Sequence, residues 1–454
     1  MGEMKSFLVI WVGQLVSALG SGLTGFAIPV VVFQQTGSAE QFGLLMFAWM
    51  VPSLLLSPVA GALVDRWDRR TVLVAADAGS GVMTLLLAWL VLSGRFELWY
   101  LLLATVIASV ISAFQEPAFA ASVAALVPKR HYARAMGMVQ MLMPVSMIVA
   151  PLLGGALVVT IGLGGIMVID AVTFVIAVST LAVIAIPRPE REALPPAENW
   201  RAAARRFGGE VTEGLRFLRG RPGLFGILVV FAVTNFFEGF VNPLLAPMVL
   251  SFSRPAEFAT VQAAAGVGAV LGGVAMGIWG GPRHRVAGVI LSLIAGGVSV
   301  AAMGAAASVP LIAAAAFVWT LATPPLQASS AAIWMSKTPQ ALLGRVFAVR
   351  RMVTMSMMPL AVLIAGPLAD RVFEPLLAPG GALAGSAGAL VGVGPGRGMA
   401  LMLVLLGGLI VVVSAAAWLV PSIRHVERDV PDAPHPQSPV PAPARGALEP
   451  VAAG

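Results

Sequence analysis

No cysteine occurs among the 454 residues, so disulfides, thiolate metal sites and thiol nucleophiles are excluded from any mechanism. Charge is nearly as scarce. Charged side chains make up 11% of the chain against 58% hydrophobic, too little polar surface to coat a water-soluble globule. The four histidines, His131, His284, His425 and His435, all lie in charged loops or in the tail. No imidazole is expected at membrane depth, and a proton relay would have to use carboxylates. The chain also lacks a Gly-x-x-x-x-Gly-Lys-Ser/Thr phosphate loop, a Gly-x-Ser-x-Gly elbow and a His-Glu-x-x-His pair. Neither ATP hydrolysis nor another enzymatic reaction is expected, and no cofactor or metal site. Alternating segments of about 10 residues, the mark of a membrane barrel, are missing too.

What is present is a series of apolar runs, each close to the roughly 20 residues that cross hydrocarbon as a helix. Six run near Phe7 to Phe33, Phe42 to Val64, Thr71 to Leu92, Leu98 to Phe119, Ala135 to Val159 and Gly165 to Ile186. Six more follow near Leu224 to Leu250, Val261 to Trp279, Val286 to Ala306, Pro310 to Trp334, Val346 to Val372 and Met399 to Val420. The first run is longer than the apolar core of a signal peptide and is expected to stay in the protein as a span. Of the 28 basic residues, 24 fall in alternate loops and the termini, and only Arg95, Arg254, Arg371 and Arg397 fall in the others. By the positive-inside rule both termini are expected in the cytoplasm, with the chain multi-pass in the cell inner (plasma) membrane. The basic pI near 10.8 is then topological, and no nucleic-acid partner is expected.

Residues 187–222 separate the two sets of six and carry eight arginines. Trp200, Phe207, Val211, Leu215 and Leu218 recur there at helical spacing, which predicts an amphipathic helix along the inner headgroup surface. The expected division is a six-helix bundle over 1–186, a cytoplasmic linker over 187–222, a second bundle over 223–421 and a disordered cytoplasmic tail over 422–454. The loop from Phe373 to Gly398, rich in Gly, Pro and Ala, is expected to be mobile like the tail.

The halves echo one another. Gly61 to Arg70, after the second run, is matched 216 residues later by Gly277 to Arg285, where the opening Gly and the closing basic pair survive. At the same offset Ala150-Pro151 meets Gly366-Pro367, and at an offset of 208 Ser122 to Lys129 parallels Ser330 to Lys337. Two six-helix units repeated in this way build alternating-access carriers, with a two-fold axis along the membrane normal.

These residues carry a family resemblance. Gly61-x-x-x-Asp65-Arg66-x-x-Arg69-Arg70 resembles the signature loop between helices 2 and 3 of the major facilitator superfamily. Ser146-x-x-x-Ala150-Pro151-x-x-Gly154-Gly155 resembles its antiporter motif in helix 5, with Ser and Ala in place of two glycines. Within the superfamily, five segments are similar to the macrolide-efflux and enterobactin-exporter group: Ile10-Trp11-Val12-Gly13-Gln14-Leu15-Val16-Ser17, Pro117-Ala118, Leu126-Val127-Pro128, Ile169-Asp170 and Leu343-Gly344-Arg345-Val346-Phe347. The likeness spans residues 7 to 421. It implies an all-α membrane protein of twelve transmembrane helices in two pseudo-symmetric six-helix bundles. It further implies a monomeric secondary transporter exporting amphipathic drugs or natural products such as macrolides. Many antiporters of the superfamily place an arginine within helix 4, and Leu101 to Ala113 has none.

The resemblance makes Asp65 a cytoplasmic latch facing the positive end of helix 11, ringed by Arg66, Arg69 and Arg70, with Gly61 and Arg345 in the same gating set. It also pairs Asp77 with the signature-loop arginines. Four carboxylates lie within spans, where each costs roughly 2.5 to 3.5 kcal/mol on insertion scales. Glu238 sits midway along the seventh span, and Asn235, Glu238 and Asn242 share one helical face. It either exchanges a proton in the cycle or is a hydrogen-bonded structural carboxyl. Asp77, Asp170 and Glu116 are further proton-coupling candidates, each with a structural or gating alternative. Pro151 and Pro367 should kink their helices, while Gly154, Gly155 and Gly366 let neighbours approach closely. Trp11, Gln14, Phe26, Phe237, Phe240, Gln262, Trp319 and Gln327, with Asn235 and Asn242, are the candidates for an apolar cavity with a few polar groups. A siderophore or metabolite exporter, or a non-transporting membrane sensor on the same fold, are the alternatives.

Overall fold

The computed structural model describes residues 3–64, 67–95, 97–184 and 200–433. Among them, twelve helices are long and apolar enough to cross a membrane. In hydrocarbon each backbone N–H and C=O must be bonded within its own segment, and a helix does this without a neighbour.

The first bundle comprises α1 (Glu3–Thr36), α2 (Ala39–Val64), α3 (Arg69–Leu92), α4 (Leu98–Leu126), α5 (Tyr132–Gln140), α6 (Leu142–Thr160) and α7 (Gly162–Val183). After α8 (Trp200–Arg219), the second comprises α9 (Pro222–Glu238), α10 (Val241–Leu250), α11 (Pro255–Trp279), α12 (Arg285–Ala305), α13 (Val309–Lys337) and α14 (Gln340–Leu368). It continues with a π-turn (Ala369–Phe373), α15 (Glu374–Leu377), α16 (Gly388–Val391) and α17 (Arg397–Leu419). Two short helices, α18 (Pro421–Arg424) and α19 (Val426–Asp429), close the described chain.

The helices are built inside out relative to those of a soluble protein. On α3 the buried residues include Asp77, Gly81 and Thr84, whereas Val82, Leu85, Leu86 and Trp89 are exposed. Apolar side chains face outward because the surrounding solvent is lipid, and small or polar ones face inward where helices meet.

Three spans expected as single helices are interrupted, two of them by a proline four residues downstream of the break. Proline has no N–H, and its ring collides with the carbonyl four residues back. Pro144 thus ends α5 at Gln140, with Met141 between the helices, and Pro243 breaks the seventh span at Gly239 and Phe240. The third is span 11, in which α14 passes through the π-turn into α15. By contrast α4 runs unbroken through Pro117, and α6 through Pro151.

Packing within the two bundles follows one scheme. In the first, α1 packs on α7 and α6, α3 on α7 and α4, and α2 on α4. In the second, α9 packs on α17 and α14, α12 on α17 and α13, and α11 on α13. Each contact of one bundle has its counterpart in the other. The bundles meet through α6 on α11 and α14 on α2, again a related pair. Helix α8 docks on α14, where Gly214 lies against the Arg345 carbonyl and Glu213 pairs with Arg345.

Two expectations of disorder are corrected. The loop after Phe373 is fixed by Glu374, whose carboxylate accepts from the backbone N–H of Gly396 and Met399, each at 3.0 Å. Buried Arg397 donates to the Val391 carbonyl at 3.2 Å. Residues 422–433 are packed as well. Glu427 accepts from the N–H groups of Arg285 and Val286 at the start of α12, at 3.1 and 3.2 Å. Lys337 donates to the carbonyls of Glu427 and Val430 and pairs with Asp432 at 2.9 Å. A few buried charged hydrogen bonds order a segment that its composition marks as loose. Residues 185–199 of the expected linker and 434–454 of the expected tail lie outside the described residues.

Losing a carboxylate cap of this kind costs about 1 kcal/mol. Glu427→Ala should therefore lower the melting temperature and speed amide exchange at Arg285 and Val286, with little change in α1 to α7. Unaltered exchange at those two amides would show that Glu427 does not hold the segment.

Candidate functional site

Helix α1 runs through the first bundle on small residues. A Cβ on Gly13 or Gly20 would collide with Thr180 or Thr173 of α7, and one on Gly22 with Ser146 of α6. Two carboxylates flank this helix. Asp77, fully buried on α3, accepts from Gln14 Nε2 of α1 at 2.9 Å and Gln115 Nε2 of α4 at 2.6 Å. Asp170, buried on α7, accepts from Thr24 Oγ1 at 2.8 Å and Ser21 Oγ at 3.4 Å, both on α1. No described arginine or lysine pairs with either carboxylate. Asp77 was expected to pair with the loop arginines, but Arg69 and Arg70 are used elsewhere.

Arg69 donates to the Ala121 carbonyl on α4 at 3.0 Å. Arg70 reaches the carbonyls of Leu181 and Ala182 at the end of α7, at 3.0 and 2.7 Å. Leu181 and Ala182 lie in the last turn of α7, where unpaired carbonyls make a cation favourable, whereas Ala121 lies a turn before the end of α4. Asp68 caps α3 by accepting from the Arg70 N–H at 3.1 Å. The second bundle repeats the contact, since Arg285 donates to the Ala332 carbonyl on α13 at 3.2 Å. Gly61 has no described atom within 4 Å of where a Cβ would stand. The proposed latch residues Asp65 and Arg66 lie outside the described residues.

Glu238 is the last residue of α9, at the break made by Pro243, within the aromatic sequence Phe236-Phe237-Glu238-Gly239-Phe240. It is partly buried and has no side-chain hydrogen bond or ion pair with a described residue. Asn235 spends its amide on the Phe231 carbonyl of its own helix at 2.7 Å, so the expected polar face, interrupted by the break, offers only Glu238 and Asn242. Glu116 is exposed, and the helix around it is not opened.

The cavity candidates divide in the same way. Trp11 donates to the Met138 carbonyl at 2.9 Å, Gln14 is held by Asp77, and Phe240 is buried in the core. Phe26 stacks on Phe258 of α11 with centroids 5.8 Å apart, which places it in the seam between bundles. Phe237 and Trp319 are partly buried beside the second bundle's core. The side chains of Gln262, Gln327 and Asn242 form no hydrogen bond with a described residue and remain free for a ligand.

Of the glycines expected to allow close approach, Gly155 and Gly366 lie between the bundles, whereas Gly154 meets Phe26 of α1 within its own bundle. A Cβ on Gly155 would stand 2.8 Å from the Ala259 Cβ and 3.0 Å from the Ala256 Cα, in the first turns of α11. Gly366 takes the same position against Ala39 and Glu40 at the start of α2. The structural counterpart of Gly366 is thus Gly155, five residues from the Ala150 with which the sequence repeat aligns it. Further along the same helices, Gly61, Gly273, Gly277 and Gly344 have no described atom within 4 Å of a would-be Cβ. The bundles close on each other at the end away from the arginine loops and part toward the loops. Asp370, Arg371, Glu40 and Ser38 at the closed end were missed by the sequence reading. Their only signal was an Asp-Arg pair just beyond Gly366-Pro367.

The family model of the Major Facilitator Superfamily matches residues 10–362. The chain is 27% identical over 376 residues to macrolide efflux protein A of Streptococcus pyogenes, covering 81% of this chain and 90% of that protein. It is 26% identical over 377 residues to the multidrug efflux pump Tap of Mycolicibacterium fortuitum, covering 80% and 89%. Among solved structures, it superposes on a bacterial homologue of the iron transporter ferroportin in an inward-facing state. There the TM-score is 0.66 and the identity 14%, with 92% of this chain and 99% of the other covered. A nucleoside transporter gives a TM-score of 0.66 at 12% identity, with 90% and 99% covered. With twelve spans, two like-packed bundles and a family match over most of its length, the chain belongs to the Major Facilitator Superfamily of membrane transporters.

Proposed function

We propose that this transporter exports bulky amphipathic molecules by alternating access and that proton entry drives it through Glu238. The observation that carries the reading is the state of the carboxylates within the spans. Amide and hydroxyl donors hold Asp77 and Asp170, Glu116 is exposed, and only Glu238 is both sheltered and without a partner among the described residues. A charge left bare at membrane depth is costly. A proton or a cationic group on the cargo relieves that cost, and the two relieve it in competition. One carboxylate can then exchange proton for cargo, provided its access alternates between the two faces.

The free amides of Asn242, Gln262 and Gln327 beside apolar helices suit a cargo with large hydrophobic surface and few polar groups. Two relatives are named for macrolide and multidrug efflux, which supports the same cargo class and the outward direction. The side is set by charge: 24 of 28 basic residues fall in alternate loops and the termini, which the positive-inside rule places in the cytoplasm.

Four outcomes are expected. Glu238→Gln abolishes export driven by a pH gradient in inverted vesicles and weakens binding of cationic cargo, while leaving folding and the counterflow of uncharged cargo intact; full gradient-driven export by this variant removes Glu238 from the mechanism. Asp77→Asn keeps one oxygen for one of the two glutamines, the other being able to turn its own Oε1 toward the new NH2, and it retains gradient-driven transport. Asp77→Leu leaves the two buried amides unbonded at about 1–3 kcal/mol each and lowers both the melting temperature and the transport rate. Loss of proton-driven export in Asp77→Asn with normal stability would move the coupling role to Asp77. Impermeant thiol reagents applied to cells label single cysteines at Glu97 and Gln35 but not at Arg130 or His284; the opposite pattern inverts the assigned orientation.

A further inference from the structure

The closed end of the molecule is held by contacts that proton and cargo exchange do not use. Asp370 lies in the π-turn that continues α14, in the second bundle. Its carboxylate accepts from Ser38 Oγ at 2.7 Å and from the N–H groups of Ala39 and Glu40 at 3.1 and 3.0 Å, all at the start of α2 in the first bundle. Next to it, Arg371 Nη2 donates to both carboxylate oxygens of Glu40 at 2.7 Å. Gly366, one turn back, leaves no room for a side chain between these helices.

The first amides of a helix have no partner within it, and an anion is the natural cap. At α2 that anion comes from the opposite bundle, so the first turn is completed by protein only while the bundles touch. The related contact is built differently. Helix α11 supplies its own Glu257, which accepts from the Arg254 N–H at 3.0 Å, and it meets α6 through Ala256, Ala259 and Gly155 and meets α1 through the Phe26 and Phe258 rings. Nothing on α11 loses a cap when the bundles part. The closed end therefore consists of a polar clasp on one side and an apolar seam on the other.

We propose that Asp370, acting on Ser38 and the α2 amides and supported by the Arg371–Glu40 pair, is the latch that sets how long this end stays shut. The inference rests on the alternating-access reading. Opening must break the clasp as a unit, yet Arg371 is 69% exposed and Glu40 37%, so water receives the freed groups at once. A contact of this kind favours one state without trapping it.

Because the protein has no cysteine, paired spin labels can be introduced directly. Labels at Gln35 and Pro379 report the closed end, and labels at Arg130 and His284 report the arginine end. Asp370→Asn should raise the population with a long Gln35–Pro379 distance about tenfold and shorten the Arg130–His284 distance correspondingly. Distributions identical to the parent at both pairs overturn the proposal. Should Asp370→Asn fail to fold, Ser38→Cys with Asp370→Cys provides the second test. The oxidised cross-link should stop macrolide efflux and reduction should restore it, whereas undiminished efflux through the oxidised protein overturns the latch. The distance measurements need no cargo, so an absence of flux in the parent protein counts against the transport reading alone.

Discussion

A polar group that enters hydrocarbon has no water to turn to, and it must be bonded within the protein, by a ligand or not at all. Most features of this transporter follow from that constraint. The spans are helices because helices satisfy their own backbone. Arg70 sits on the carbonyls of Leu181 and Ala182 because the last turn of α7 leaves them without a partner in their own helix, and Arg69 adds a bond to the Ala121 carbonyl of α4. Gln14 and Gln115 converge on Asp77, and Ser21 and Thr24 on Asp170, because each donor and each carboxylate removes the other's cost. Against this background Glu238 stands out as a carboxylate without a partner among the described residues, and the proposed cycle offers it two in proton and cargo.

The pseudo-two-fold scheme gives the same constraint a mechanical form. Each bundle is tied internally by the same set of helix pairs, and the bundles touch through α6 on α11 and α14 on α2. Both contacts use a glycine against the first turn of a helix, so backbones approach closely with little side-chain interdigitation. Beside them Phe26, Val30, Phe33 and Phe42 of the first bundle share a buried apolar cluster with Phe240, Val241, Leu244 and Leu245 of the second, which separation has to open. In the proposed cycle each bundle moves as a rigid body, and the change of access is a rotation of one against the other.

Much of this was legible in the sequence, and the misses have physical causes. Span number, the repeat and the close-approach glycines all follow from one-dimensional patterns: apolar length, periodic self-similarity and small residues beside proline. The interruptions at Met141 and Gly239 were also written there, in Pro144 and Pro243, because a proline acts on the carbonyl four residues back. The partners of Asp77 were not legible. Spacing along one chain does not say which helices will be neighbours, and Gln14 and Gln115 come from two others. Composition misled for the loop after Phe373 and for the start of the tail. Glycine, alanine and proline suggest mobility, but a single carboxylate on two backbone amides, as with Glu374 and Glu427, is enough to order such a segment.

The two ends of the carrier then differ in kind. At the arginine end, cations bond to carbonyls within one bundle, as Arg69 and Arg70 do in the first and Arg285 in the second, so these bonds survive any rotation of the bundles. At the far end, Asp370 of one bundle caps amides of the other, and rotation must break it. Charged contacts of the first kind make each half rigid, while those of the second kind set the balance between states. A few kcal/mol of contact energy is enough to shift a balanced equilibrium almost completely. A much stronger clasp would hold the carrier in one conformation, and the exposure of Arg371 and Glu40 keeps it from being so. The same charged hydrogen bonding to backbone is thus permanent or reversible according to whether its partners belong to one bundle or to two.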